Sequence, residues 1–143
     1  KDAGVKVKTS EPCSVRGDEL LLRSAIENVV RNAVLYTDSG TDVEIVLTFS
    51  DMVVDDSSGD RAPPRCAVVS VRDHGPGVSD DQLTHLFEPF YRIADSRDRE
   101  SGGTGLGLAI TERAVRLHGG TVDARNATDG GLIVEIRLPI DGV

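Results

Sequence analysis

Gly102-Gly103-Thr104-Gly105-Leu106-Gly107-Leu108-Ala109-Ile110 is the stretch on which the reading of this chain turns. Four glycines within six residues give way to an apolar run, so the segment reads as a loop that opens a helix. Free N–H groups and the helix dipole make such a terminus an anion site. Two common phosphate loops do not fit. A P-loop closes on Gly-Lys-Ser/Thr, which is absent, and there is no G-x-G-x-x-G after a strand, which argues against a dinucleotide fold. A plain helix start fits the same residues, so the neighbouring sequence has to decide.

Downstream, the spacing predicts a helix from Gly105 to His118 with Leu106, Ile110, Ala114 and Leu117 on its buried face. Gly119-Gly120 stops it. Thr121–Asn126 and Leu132–Leu138 then form a closing hairpin, with Leu132, Val134, Ile136 and Leu138 facing inward. Upstream, Tyr91 to Gly103 carries six charges, three of each sign, without periodicity, and reads as a mobile loop. Phe87 and Phe90 in Leu86-Phe87-Glu88-Pro89-Phe90-Tyr91-Arg92 are expected to anchor its start in the core, with Arg92 able to reach a phosphate.

Further upstream, Cys66 to Asp73 reads as a strand with Ala67, Val69 and Val71 on one face. The period of two puts Asp73 on that same apolar face, and an inward carboxylate needs a partner. Asp73-His74-Gly75-Pro76-Gly77-Val78 follows; an ionised carboxylate only accepts hydrogen bonds, which suits an exocyclic amine, and the glycines permit a sharp turn. A simple strand-exit turn fits as well. Asp51 to Pro64 reads as an exposed loop, and Val43, Ile45, Leu47 and Phe49 alternate as a strand. Asp18 is the N-cap of a long helix from Glu19 to Tyr36, with Leu22, Ala25, Ile26, Val29, Ala33 and Tyr36 on one face. Asn28 and Asn32, four apart, stack beside that face; they fit either a satisfied polar pair or neutral oxygen ligands for Mg²⁺. Ser79 caps a short helix to about Leu86, Val5–Thr9 is a half-exposed strand, and Cys13-Ser14-Val15 is a candidate for another.

At 143 residues the chain suits one domain, 1–143. A net charge of −8 argues against a general nucleic-acid surface. No run approaches the roughly 18–20 apolar residues of a membrane span, and the first residue, Lys1, suggests a piece of a longer protein. Cys13 and Cys66 have no metal or redox spacing and are expected as reduced thiols. The whole pattern is α+β: a two-layer sandwich with about three helices on one face of a mixed, largely antiparallel five-stranded sheet.

The order Asn28…Asn32-Ala33, Asp73-x-Gly75-x-Gly77, Phe87-x-Pro89-Phe90, Gly103-Thr104-Gly105-Leu106-Gly107-Leu108 resembles the N, G1, F and G2 boxes of the ATP-binding catalytic domain of bacterial sensor histidine kinases, in the gyrase/Hsp90/histidine-kinase/MutL superfamily with its Bergerat-type fold. His118-Gly119-Gly120 and the Val134–Pro139 tail are similar to that family's closing hairpin. The resemblance implies ATP and Mg²⁺ as cofactors. It assigns Asn32 to the metal and Asn28 to the phosphate side as the catalytic pair, Asp73 to the adenine amine, Gly75 and Gly77 to the floor under the base, and Tyr36 to the pocket wall. Gly103, Thr104, Gly105, Leu106 and Gly107 would meet the phosphates, Arg92 would add positive charge, and about 91–102 would be a lid.

The family's partners follow from the same resemblance: a histidine-containing dimerisation domain of the same protein, which receives the γ-phosphoryl group, and a response regulator. The fragment is expected to be monomeric, cytoplasmic in a membrane sensor, without its own membrane segment, and unable to phosphorylate itself, because His74, His85 and His118 lie in no acceptor motif. Leu35 stands where the family usually has Lys or Arg, leaving a phosphate contact missing or supplied by Arg31, Arg92, Arg97 or Arg99. The alternatives are a gyrase-like or Hsp90-like ATPase, an anti-sigma-type serine kinase, and a nucleotide-sensing module without transfer activity. Asn28 counts against the first, because those hydrolases carry a Glu base at that position.

Overall fold

A computed structural model describes residues 3–9, 12–51, 65–91 and 105–140. Within them the order is β1 (Gly4–Thr9), α1 (Glu19–Tyr36), β2 (Asp42–Asp51), β3 (Arg65–Arg72), α2 (Asp80–Leu83), α3 (Gly107–Leu117), β4 (Thr121–Asn126) and β5 (Leu132–Pro139). The strands form one sheet in the order β1-β2-β3-β5-β4. β1 and β2 are parallel and every other pair is antiparallel. The expected mixed five-stranded sheet is therefore present.

Register explains the core. Val43, Ile45, Val71, Val134, Ile136 and Val122 share the face toward the helices because Ile45 pairs with Val71, Val71 with Val134 and Val122 with Ile136. Ala25, Val29 and Ala33 of α1 and Leu108, Ala114 and Val115 of α3 close over them, and Val29, Val71, Val115 and Ile136 are at most 1% exposed. The opposite face is charged: Glu135 lies between Arg125 at 2.5 Å and Arg137 at 2.6 Å.

α1 runs over the expected residues, its first turn capped by Asp18, whose Oδ1 accepts from the Leu20 and Leu21 N–H groups at 3.0 and 3.1 Å. α2 is shorter than expected. After Leu83 the chain tightens into turns, with His85 N–H bonded to the Gln82 carbonyl and Glu88 N–H to that of His85. Cys13-Ser14-Val15 forms no strand, although Val15 packs on the core.

The buried face of α3 differs from the expected one. Leu108, Thr111, Ala114 and Val115 are inside, whereas Ile110 and Leu117 are 45% and 64% exposed. The cause is Thr111, fully buried against α1 with its hydroxyl 2.8 Å from the Ala25 carbonyl. A reading that places only apolar residues inside misses a threonine that satisfies itself at a helix–helix contact. Phe87 packs on the core as expected, but Phe90 is 71% exposed and anchors nothing. It adopts φ 67°, a conformation rare for a bulky side chain, and its N–H donates to the Gly105 carbonyl at 2.9 Å. Most of the 51–64 loop and nearly all of the expected lid lie outside the described residues.

Candidate functional site

Asp73 follows the last residue of β3 and is 4% exposed. Its backbone N–H still pairs with the Leu132 carbonyl at 3.0 Å, so the sheet ladder carries it into the interior. Its Oδ1 accepts from the N–H groups of Gly75 at 2.9 Å and Leu132 at 3.2 Å. Two backbone donors on one oxygen compensate a buried carboxylate and hold its plane.

The turn after Asp73 is held from three sides. Gly75 lies so close to α1 that a Cβ there would strike the Tyr36 carbonyl oxygen. His74 N–H donates to the Thr37 hydroxyl at 2.9 Å, and Thr37, fully buried, is itself 2.7 Å from the Thr41 hydroxyl. At the far end Asn126 grips Val78 twice: Val78 N–H reaches Oδ1 at 3.0 Å and Nδ2 reaches the Val78 carbonyl at 2.6 Å. Sequence reasoning missed Thr37, Asn126 and Leu132; they lie 37, 48 and 59 residues from their partners and belong to no local motif.

Asn32, Tyr36, Asp73 and Gly77 line one cleft that opens to solvent. Val29, Val71, Leu86 and Val134 supply apolar walls. Apolar walls with a carboxylate acceptor among them are a lining that suits a largely apolar ring with a polar edge. Gly75 is not among the lining residues of this cleft; it lies against the Tyr36 carbonyl at the end of α1.

A second group of the expected residues gathers where α3 begins. Leu106, the N-cap of α3, provides no side-chain cap, unlike Asp18 of α1 and Ser79 of α2. Among the described residues no side chain caps the first N–H groups of α3. Asn28 lies against this terminus: a Cβ at Gly107 would sit 3.8 Å from the Asn28 Oδ1. The same Oδ1 accepts from Arg31 Nη1 at 3.2 Å. Gly105 has φ 78°, and a Cβ there would meet the Phe90 backbone at 2.8 Å, so the two segments touch main chain to main chain. Arg92, Gly103 and Thr104 lie outside the described residues.

Asn28 and Asn32, one turn apart on α1, join the cleft to the α3 terminus. Among the described residues no cluster of three or more His, Cys, Asp or Glu could hold a metal ion. The donor set around Asn32 suits Mg²⁺ in another way: one neutral amide oxygen, with a bound ligand's phosphates and water completing the shell. Beside the site, Arg72 bonds Asp129 at 2.5 Å and holds that carboxyl below the usual carboxylate range.

Residues 17–142 match the family described as histidine kinase-, DNA gyrase B- and HSP90-like ATPase. The chain is 43% identical over 129 residues to the sensor histidine kinase CpxA of Escherichia coli strain K12, covering 90% of this chain and 25% of that protein. It is 39% identical over 140 residues to the signal transduction histidine-protein kinase BaeS of the same strain, covering 96% of this chain and 27% of the relative. It thus spans about a quarter of the length of these curated relatives. Its fold is similar to the mycobacterial sensor histidine kinase MprB, with a TM-score of 0.76, 28% identity, and coverage of 99% of this chain and 85% of that one. It is also similar to full-length ShkA in complex with AMPPNP, with a TM-score of 0.72, 27% identity, and coverage of 99% and 26%.

Proposed function

This chain belongs to the histidine kinase-, DNA gyrase B- and HSP90-like ATPase family, and from that membership we propose that it binds Mg-ATP and presents the γ-phosphoryl group to a histidine on a separate dimerisation domain. The observation that carries this reading is Asp73: a buried carboxylate, held by two backbone N–H groups, in an apolar-walled cleft shared with Asn32 and Tyr36. An acceptor so placed takes the exocyclic amine of adenine and repels the carbonyl that guanine carries there.

The remaining roles follow from position. Tyr36 and Gly77 would border the base, Asn32 would hold the metal through its amide oxygen, and Asn28 with the N–H groups of Gly105, Leu106 and Gly107 would meet the phosphates. Mg²⁺, when bound, would supply neutralisation of the phosphate charge. The chain's own contribution is to orient the triphosphate and supply fixed donors. Transfer is favoured over hydrolysis because the residue one turn before Asn32 is Asn28, an amide with no basic site, whose Oδ1 is already bonded to Arg31.

The acceptor lies elsewhere in this reading. His85 is bonded to Glu88 at 2.8 Å, His74 lies 3.3 Å from Glu44, and His118 bridges Asp18 N–H at 2.9 Å and the Ala114 carbonyl at 2.7 Å. A response regulator then takes the phosphoryl group from the partner histidine. The chain acts as a monomeric cytoplasmic module of a membrane sensor; no helix among the described residues is long and apolar enough to cross a membrane.

Calorimetric titration with ATP and GTP, with and without Mg²⁺, tests the reading. ATP alone should bind, more tightly with Mg²⁺ and more weakly after Asp73→Asn. Absence of binding at millimolar ATP, or equal binding of GTP, would overturn it. Radiolabel retained on the isolated chain after incubation with Mg-ATP would contradict the external acceptor.

A further inference from the structure

We infer that Arg31 supplies the phosphate-contacting cation of this site, in place of the one that position 35 lacks. The inference rests on the nucleotide reading above and names a residue within it.

The argument begins with charge pairing. In a chain of net charge −8, five of the nine arginines among the described residues have carboxylates at hand: Arg23 with Glu19 at 2.9 Å, Arg72 with Asp129, Arg116 with Glu112 at 3.8 Å, and Arg125 and Arg137 with Glu135. Arg31 is different. Its Nη1 donates to the neutral Asn28 Oδ1 at 3.2 Å, and among the described residues no carboxylate lies within 4.0 Å of it. Glu27, four residues before it, has the favourable i, i+4 order for a helical ion pair. The pair does not form; the guanidinium turns to Asn28 instead.

Position supplies the second line. Asn28, Arg31, Asn32 and Leu35 recur at three- and four-residue spacing and so form one stripe along α1. One part of the stripe, Asn32, lines the cleft with Asp73. At its other end the Asn28 side chain lies against the first residue of α3, a terminus with no side-chain cap. A polyanion extending from the cleft to that terminus passes the Asn28–Arg31 pair. Leu35 brings no charge to the stripe, whereas Arg31 brings one that no carboxylate among the described residues neutralises. A guanidinium has five N–H donors in a planar fork, and the bond to Asn28 uses one, which leaves donors for phosphate oxygens.

The test titrates the chain, Arg31→Gln, and Arg31→Gln combined with Leu35→Lys, using Mg-ATP and adenosine as separate probes. Arg31→Gln should weaken Mg-ATP binding about tenfold, as loss of one solvent-exposed charge-assisted contact implies. Adenosine affinity should stay within about twofold. The added lysine should recover most of the loss, and the difference between chain and variant should shrink as salt rises from about 0.05 to about 0.5 M. Unchanged ATP affinity in Arg31→Gln, or an equal loss for adenosine, would overturn the inference. If the unaltered chain binds no ATP, the nucleotide reading fails and takes this inference with it. If ATP binds and Asp73→Asn weakens it while Arg31→Gln does not, only the inference about Arg31 fails.

Discussion

Asp73 combines two duties on one carboxylate. Its Oδ1 satisfies the Gly75 and Leu132 N–H groups, which shapes the turn, while the group as a whole presents acceptor character to the cleft. Asparagine keeps an oxygen that can accept both bonds, so Asp73→Asn should retain the native circular dichroism spectrum while ATP affinity falls more than about tenfold. Gly75 is constrained by space: Gly75→Ala drives a methyl into the Tyr36 carbonyl and should cost about 1–3 kcal/mol in urea unfolding. Asp129 contributes a pH dependence. Its carboxyl is held below the ordinary value, chiefly by the Arg72 hydrogen bond, so its contribution is present above the unfolded-state value and lost as pH falls through the folded one. Asp129→Asn should therefore lower Tm slightly near pH 7 and leave it unchanged once the pH lies below the folded-state value. Equal effects at both would exclude the ion pair as the cause.

At the scale of elements, the phase of α3 is the informative case. Thr111 faces α1 and Ile110 faces outward. Thr111→Val keeps the shape and removes the hydroxyl, at an expected cost of about 1 kcal/mol. Ile110→Ser should change stability by less than about 0.5 kcal/mol. The reverse order in chemical denaturation would restore the face expected from apolar spacing. The two ends of the α1–α3 pair are also tied: His118 Nε2 accepts the N–H of Asp18, the α1 cap, and Nδ1 donates to the Ala114 carbonyl. One imidazole in a defined tautomer thus links the end of α3 to the start of α1.

For the whole molecule, one core serves both stability and site. Val29, Ala33, Val71, Leu132 and Val134 belong to the hydrophobic core and also line the cleft. Ile136 belongs to the core without lining the cleft and is fully buried at the centre of the sheet. Ile136→Ala should cost about 2–5 kcal/mol of unfolding free energy. It should alter nucleotide affinity less than Asp73→Asn does, because the residue stands behind the wall rather than in it. Comparing the two variants by calorimetry separates loss of fold from loss of site.

Much of this was legible in one dimension. Strand faces follow from a period of two, and α1 from a period near 3.6 with an Asp cap. The inward aim of Asp73 follows from counting along β3. Each is a local rule, in which the deciding atoms lie within a few residues of one another. The tertiary structure decided the rest. The α3 face was set by the buried Thr111 hydroxyl, whose acceptor is a carbonyl on another helix, and the exposure of Phe90 accompanies its backbone contact with Gly105. The grip of Thr37, Asn126 and Leu132 on the 73–78 turn joins groups 37 to 59 residues apart. Donors and acceptors leave a mark in local spacing when they serve neighbours in the chain. Serving distant backbone, they leave none, and only the folded chain brings them together.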